Sequence, residues 1–178
     1  MQPSPLQLLQ CDFETVNVTA NPDFNRARQD TAFAVPPQAL RMSSATAVRD
    51  LECGDGWADY AIRFQLKFEP QESDTSPYRG ELLLQAIVRM HGGATALERK
   101  QLAVVNGVSL IYGMARDMVC TVTSRSSHGQ MLLPTLNFRA LAQQVAADEA
   151  SNNPCSSPAD APAPTTKRKP TRRKPQST

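Results

Sequence analysis

Residue types that usually carry catalysis or bind metals are few and scattered in this 178-residue chain. Its two histidines, His91 and His128, fall in different predicted loops with no serine or cysteine nearby in a nucleophile setting. No HExxH, GxSxG or phosphate-binding GxxxxGKS/T motif occurs, and Gly54-Asp55-Gly56 is typical of a tight turn. The sequence therefore argues against an enzyme and predicts neither a cofactor nor a metal site.

Cysteine is also sparse, which bears on where the protein works. The four cysteines, at positions 11, 53, 120 and 155, form no CxxC pair, and disulfide-stabilised domains are denser in cysteine. The N-terminal stretch MQPSPLQLLQ is too short and too polar for a signal peptide. No apolar run approaches the roughly 20 residues that span a bilayer. We therefore expect a cytoplasmic protein with reduced thiols that is not embedded in a membrane.

Charge is distributed unevenly, although the formal net charge is only +2. The C-terminal stretch 151–178 holds six basic residues and one acidic residue, and it contains no glycine and no aromatic residue. Alanine, serine, threonine and proline dominate it, so it cannot bury enough apolar surface to offset the entropy of ordering. We predict one folded domain over residues 1–150 and a disordered basic tail over residues 151–178.

The basic residues of this tail form a candidate polyanion-binding segment. They are Lys167, Arg168, Lys169, Arg172, Arg173 and Lys174. Such a segment could neutralise phosphates of nucleic acid or anionic lipid with salt-sensitive, sequence-independent affinity. No aromatic residue is interleaved, so base stacking is not available. A solubilising tail without a dedicated partner is an equally good interpretation.

Four stretches in the first half of the chain alternate apolar and polar residues, as half-buried β-strands do. They are residues 6–19, 38–52, 58–69 and 82–90. In the first, Leu9, Cys11 and Phe13 are predicted to share one face, with a bulge at Thr15. Turns and loops between these stretches suggest an antiparallel meander, with the crossover after the first strand less certain.

Three helices follow the strands in the predicted order. They are residues 96–105, 108–124 and 138–150. Thr95 and Glu98 form a capping box at the start, and Asn106-Gly107 is predicted to break the helical region. Asn137 can cap the last helix. The order ββββααα predicts an α+β fold, a four-stranded antiparallel sheet with the C-terminal helices on one face.

Large apolar residues also lie outside the predicted elements. The loop after the second helix carries Met131, Leu132, Leu133 and Leu136, and the connector 20–38 carries Phe24 and Phe33. Apolar loops of this kind either fill a core or bind a partner. Together with an open sheet edge, they predict that another subunit or an unfolded client chain covers them.

The run NGVSLIYGMARDMVCTVTSRSSHGQMLLPTLNF, residues 106–138, resembles the signature region of the SecB export-chaperone family. In that family an NG break leads into a helix with an aromatic residue and an Ala-Arg pair. A Thr-Ser-Arg end, a glycine-rich turn, an apolar loop and Pro-x-Asn-Phe follow. The matching residues are Asn106, Gly107, Tyr112, Ala115, Arg116, Ser124, Arg125, Leu133, Pro134, Asn137 and Phe138. The likeness spans about residues 5–147, and it is architectural outside this run.

The resemblance implies an ATP-independent holdase, a tetramer built as a dimer of dimers that binds unfolded proteins in long apolar grooves. Typical members act in protein export and deliver precursors to the SecA motor, whereas other members chaperone the antitoxin of a toxin–antitoxin pair. Carried over by position, the resemblance implies these groove residues: Phe24, Phe33, Tyr112, Leu132 and Leu133.

Three features depart from the family pattern. Gly113 replaces a usual proline, which is expected to loosen the start of the helix. Residues 126–129, Ser-Ser-His-Gly, replace a Gly-Gly-Phe-Pro type of turn and remove an aromatic residue from beside the groove. The basic tail differs from the motor-binding tails of typical members, which argues against SecA docking. A scaffold tethered to nucleic acid by its tail is therefore kept as an alternative function.

Overall fold

The structure, a computed structural model, describes residues 3–25 and 35–152, with side chains described up to residue 148. Two layers form this part of the chain, a sheet and a helical layer that covers one of its faces. Phe33 and the basic residues from Lys167 to Lys174 lie outside the described residues. The predictions for them, including the disordered tail, stay predictions.

The sheet contains four antiparallel strands in the described residues. These are β1 (Leu6–Ala20), β2 (Leu40–Gly54), β3 (Trp57–Pro70) and β4 (Tyr78–His91). Their order across the sheet is β1-β4-β3-β2. The meander is correct for β2, β3 and β4 but wrong for β1, which crosses over and pairs with β4. β1 and β2 therefore lie at opposite edges of the sheet, whereas β2 and β3 are joined by a tight turn.

Strand β1 contains two irregularities where it pairs with β4. One lies between Phe13 and Thr15 and confirms the predicted bulge, and the other lies between Leu8 and Gln10. The second bulge leaves Leu9 outside the ladder with 50% of its surface exposed, whereas Cys11 and Phe13 pack against the core. The prediction that Leu9 shares their face was therefore wrong, because the extra residue of the bulge resets the alternation.

The helical layer consists of α1 (Ala96–Thr123) and α2 (Ala140–Asn152). The predicted break at Asn106-Gly107 was wrong, since α1 runs through it without interruption. A Cβ atom at residue 107 would lie 2.7 Å from the Cδ1 atom of Ile62, so Gly107 lets the helix approach β3 closely. Packing of this apolar face overrides the low helix propensity of the Asn-Gly pair.

The predicted capping box at the start of α1 is present in a modified form. The backbone N–H of Glu98 donates to Oγ1 of Thr95 at 3.0 Å, as predicted. The Glu98 carboxylate accepts the N–H of Ala94 at 2.8 Å, one residue before the N-cap. The first bond satisfies a backbone donor that the first turn of a helix leaves without an intrahelical partner, and the second ties the preceding residue to that turn.

Because α1 is continuous, its 28 residues are long and apolar enough, by length and composition, to cross a membrane. The sequence analysis expected no apolar run of about 20 residues, and this helix corrects that expectation by length and composition alone. In the most apolar window of α1, 44% of the residues are buried within the protein. The buried residues of α1 pack on β1, β3 and β4. The core helix of a folded domain packs in the same way.

Two glycines of α1 offer a matched test of this packing. Gly107→Val should lower the free energy of unfolding by about 1–3 kcal/mol, because the new methyl groups overpack against Ile62 and Val88. Gly113→Ala should raise it by up to about 1 kcal/mol, because a Cβ there meets no atom of the described residues within 4 Å. Urea unfolding followed by circular dichroism measures both. Equal effects of the two substitutions would contradict the close approach of α1 at Gly107.

The core lies between the sheet and α1, and the alternation of β3 and β4 determines its composition. The inward side chains of these strands are Tyr60, Ile62, Phe64, Leu66, Phe68, Leu82, Leu84, Ala86, Val88 and Met90. From α1, buried residues recur at helical spacing, among them Val104, Val108, Ile111 and Ala115. The other face of the sheet is polar and partly exposed, so the predicted α+β architecture with helices on one face is confirmed.

Candidate binding surfaces

The apolar loop within the motif of residues 106–138 packs into the core. Met131 and Leu133 have no exposed surface, and Tyr112 is 3% exposed. Leu132, between the two buried residues, is half-buried. The structure therefore does not leave Tyr112 and Leu133 open to a client, and any role for them in a groove needs a movement of this loop.

Polar side chains of α1 hold this loop by its backbone. Arg116 donates from Nε to the carbonyl oxygen of Leu133 at 2.8 Å, and the Tyr112 hydroxyl donates to the carbonyl oxygen of Pro134. Burial raises the pKa of Tyr112 to about 12, and the nearby Arg116 charge opposes this only in part. The hydroxyl is therefore a permanent donor at neutral pH.

Other motif residues position the chain after the loop. The Phe138 ring lies edge-on to Tyr112 and to Phe64, with ring centroids 5.4 Å and 6.0 Å apart. Oδ1 of Asn137 accepts the N–H of Arg139 at 3.0 Å, just before α2 begins. Asn106 lies on the exposed face of α1, and Ala115 lies on its buried face. This part of the motif serves folding of the helical layer.

Phe24 lies in an aromatic cluster at the end of the sheet where β4 begins. His128 places its ring 5.2 Å from the Phe24 ring and 5.7 Å from the Tyr78 ring. Its Nε2 atom lies 2.9 Å from the carbonyl oxygen of Asn21 and donates to it. His128 therefore supplies a ring within the altered turn 126–129, and the expected loss of an aromatic residue from beside a client groove stays a prediction.

An apolar furrow open to solvent lies between α1 and β1. It has a volume of about 540 Å³ and is lined by Phe13, Ser109, Leu110, Gly113, Met114, Asp117, Met118 and Thr121. Leu110 is 41% exposed, and Met114 and Met118 are half-buried. Thioether side chains adapt to irregular partners, so this lining suits variable apolar ligands. We call this surface the α1–β1 furrow.

The glycine that departs from the family pattern lies in this furrow. Gly113 is in the middle of α1, so it does not loosen a helix start as the sequence suggested. A Cβ atom at this position would meet no atom of the described residues within 4 Å. Sequence reasoning missed Phe13, Leu110, Met114 and Met118, although their helical or alternating spacing was visible, because such spacing predicts core as readily as surface.

Large apolar residues are exposed elsewhere as well. In the described part of the chain, the large apolar residues that are more than a third exposed are Leu8, Leu9, Val16, Leu51, Leu97, Leu102, Leu110 and Val122. Four of them lie along α1, the element that borders the furrow. Only Leu110 of these four lines the furrow, and single exposed leucines elsewhere are normal in soluble proteins.

Strand β2 offers a second kind of surface, an edge without a neighbouring strand in the described part of the chain. It is 15 residues long and contains neither proline nor lysine. Its only register shift, between Asp50 and Cys53, is close to its end. Edge strands of this kind can pair with an extended chain through main-chain hydrogen bonds. The opposite edge, β1, is less suitable because two bulges interrupt it.

The open face of the sheet carries ion pairs in the described residues, among them a partly buried one near the start of β3. Arg89 donates from Nε and Nη2 to both carboxylate oxygens of Asp59, at 2.7 and 2.8 Å, and stacks 4.1 Å from the centre of the Trp57 ring. These hydrogen bonds hold the pKa of Asp59 below its usual value, against the effect of burial. The pair fixes β3 against β4 without forming a catalytic arrangement.

The Asp59–Arg89 pair predicts a pH dependence of stability. Because folding lowers the pKa of Asp59, the pair stabilises the fold fully above the unfolded pKa of about 3.9 and loses this contribution as pH falls through the folded value. We expect Asp59→Asn to flatten the decline of the melting temperature below about pH 4. Asp55→Asn, in the exposed β2–β3 turn, is the control and should keep the wild-type decline. Equal curves for wild type and Asp59→Asn would contradict this role.

Comparison with known proteins gives likenesses of structure only. No protein-family model and no curated protein matches the sequence. Eleven chains of solved structures match. One is a Mycobacterium tuberculosis SecB-like chaperone in complex with a ChAD peptide from the HigA1 antitoxin, with 16% identity and a TM-score of 0.47. The alignment covers 74% of this chain and 88% of that one.

A second match is a protein of unknown function from Streptococcus agalactiae, with 10% identity and a TM-score of 0.43. The alignment covers 75% of this chain and 97% of the Streptococcus agalactiae protein. Neither likeness is strong enough to assign a family. Among the described residues, no group of three or more His, Cys, Asp or Glu side chains could hold a metal ion.

Proposed function

We propose that this protein is an ATP-independent holdase that binds unfolded proteins through exposed apolar surface. The observation that carries the proposal is the α1–β1 furrow, an open apolar depression lined by two methionines and by the exposed Leu110. The SecB-like motif of residues 106–138 supports the same function independently.

Apolar capture is the mechanism of this holdase. Apolar side chains of a client displace water from the furrow, which contributes about 25 cal/mol per Å² of apolar surface removed from water. Extended client backbone can add to the free edge of β2, where main-chain hydrogen bonds are independent of sequence. Together the two surfaces recognise unfolded chains in general, and neither needs a nucleotide or a catalytic group.

The proposal includes assembly and biological setting. We propose a cytoplasmic homo-oligomer, a dimer of dimers, that works in protein export and is not embedded in a membrane. Chaperoning an antitoxin is the alternative within the same class, and engagement of SecA belongs only to the export version. A toxin–antitoxin gene pair beside this gene would select the antitoxin version.

An aggregation assay tests the holdase function. A reduced, denatured test protein is diluted into buffer with or without the full chain, and light scattering is followed. We expect scattering to be suppressed once the chaperone subunits reach a stoichiometric tetramer per client. Unchanged scattering at that ratio would contradict the function.

The basic tail supports a second candidate from another class, a scaffold tethered to nucleic acid through residues 167–174. Deleting residues 151–178 separates the two functions. If the protein is a holdase, the truncated chain suppresses aggregation as well as the full chain does. If the tail supplies the function, retention on nucleic acid is lost on truncation and aggregation is not suppressed by either chain.

A further inference from the structure

The segment from Gly129 to Pro134, here called the strap, lies against α1 as an extended chain. Gly129 has a positive φ of 83°, which turns the chain back after the helix, and Leu132 forms an isolated β-bridge. The strap then runs antiparallel to α1, because successive strap residues contact side chains from the end of the helix toward its middle. It belongs to neither the strand ladder nor a helix.

Three side chains of α1 hold the strap by its main chain, and in addition Nε2 of Gln130 donates to Sγ of Cys120 on α1 at 2.8 Å. Oγ1 of Thr123 accepts the N–H of Met131 at 2.9 Å and donates its own proton to the carbonyl oxygen of Val119. Arg116 donates to the carbonyl oxygen of Leu133, and the Tyr112 hydroxyl donates to the carbonyl oxygen of Pro134. Bonds of this kind carry no information about side chains, so the same three groups could hold any extended chain.

The strap's side chains alternate as those of a peptide in a binding groove do. Met131 and Leu133 point inward with no exposed surface and belong to the core cluster, whereas Leu132 is half-buried. On either side, Gln130 and Thr135 are exposed. Two large aliphatic side chains at positions i and i+2 therefore fill one apolar slot between α1 and the sheet.

We propose that the strap occupies this slot in place of a client. When the strap lifts, an extended client segment with large aliphatic residues at positions i and i+2 enters, and Thr123, Arg116 and Tyr112 hold its backbone. This inference rests on the proposed holdase function and names the client sequence that the slot selects. It also gives Tyr112 a role in binding, although Tyr112 is buried while the strap is in place.

Hydrogen–deuterium exchange on the unaltered full chain tests the strap. The probe is a reduced, carboxymethylated test protein that cannot fold. On its addition we expect the amides of residues 130–133 to exchange at least tenfold faster, while those of β4 stay unchanged. Unchanged or slower exchange in the strap, with aggregation still suppressed, would overturn the strap inference and leave the holdase function intact. Absence of any client binding would overturn both.

A peptide experiment tests the sequence preference of the slot. The probe is a fluorescent peptide with the sequence of residues 129–138, and its counterpart carries asparagine at the positions of Met131 and Leu133. The full-chain variant Met131→Ala/Leu133→Ala should bind the first peptide at least tenfold more tightly than wild type does. The same variant should bind the asparagine peptide at least tenfold more weakly than it binds the first peptide. Equal affinities would overturn the inference, and if the variant does not fold, the exchange experiment on the unaltered chain decides.

Discussion

Phe64→Ala is expected to lower the free energy of unfolding by about 3–5 kcal/mol, the range for truncating a buried phenylalanine. Phe64 has no exposed surface and lies on β3, beneath α1 and the segment that precedes α2. Its ring is edge-on to Tyr112 at 6.4 Å and to Phe138 at 6.0 Å. The substitution removes these ring contacts and leaves a cavity beneath α1. Urea unfolding followed by circular dichroism measures the change.

Val16→Ala is the matched control for Phe64→Ala. Val16 is on β1, more than a third exposed, and its truncation should change stability by no more than about 0.5 kcal/mol. A loss below about 1 kcal/mol for Phe64→Ala would mean that the core is not where the structure places it.

The double substitution Leu110→Gln/Met114→Gln is expected to weaken aggregation suppression by about tenfold or more. Both side chains line the α1–β1 furrow, and losing their apolar contact with a client should remove about 2 kcal/mol of binding free energy, where 1.4 kcal/mol is tenfold in affinity. Glutamine forms helix well, so the fold should persist. The concentration that halves light scattering of the test protein measures the effect.

Leu102→Gln controls for the loss of exposed apolar surface in general. Leu102 is on the same helix and is exposed to a similar degree, but it does not line the furrow. Its replacement should leave aggregation suppression within about twofold of wild type. If Leu102→Gln and the double variant have equal effects, the furrow is not the client site. Light scattering of each variant alone shows whether the oligomeric state has changed.

Much of the sheet could be predicted because its pattern follows from burial on one face. In β3, every second residue from Ala58 to Phe68 is buried, so alternation in the sequence and alternation in the structure have the same cause. The start of α1 was similarly readable, because Thr95 and Glu98 act within a single turn. Such local causes leave a signal within a few residues.

Features that depend on distant residues could not be predicted in the same way. Pairing of β1 with β4 brings together segments about 70 residues apart, and no local pattern selects β4 over β2. Continuity of α1 through Gly107 depends on its fit against Ile62, a residue of another element. An Asn-Gly pair considered alone favours a break, so tertiary packing was the missing information.

The candidate site was only partly readable for the same reason. The motif of residues 106–138 pointed to the correct region, but it could not show which way each loop residue faces. Met131 and Leu133 point inward because three α1 side chains hold the strap's backbone in register. The furrow residue Phe13 is brought beside α1 only by the crossover of β1.

Isothermal titration calorimetry tests the central claim, capture of unfolded chains by apolar surface, most directly. The full chain is titrated at several temperatures with a reduced, carboxymethylated test protein and, separately, with the same protein in its native form. We predict binding to the unfolded form only, with a negative heat-capacity change, the signature of apolar burial. Equal binding to both forms, no binding to the unfolded form, or a heat-capacity change of zero would contradict the claim.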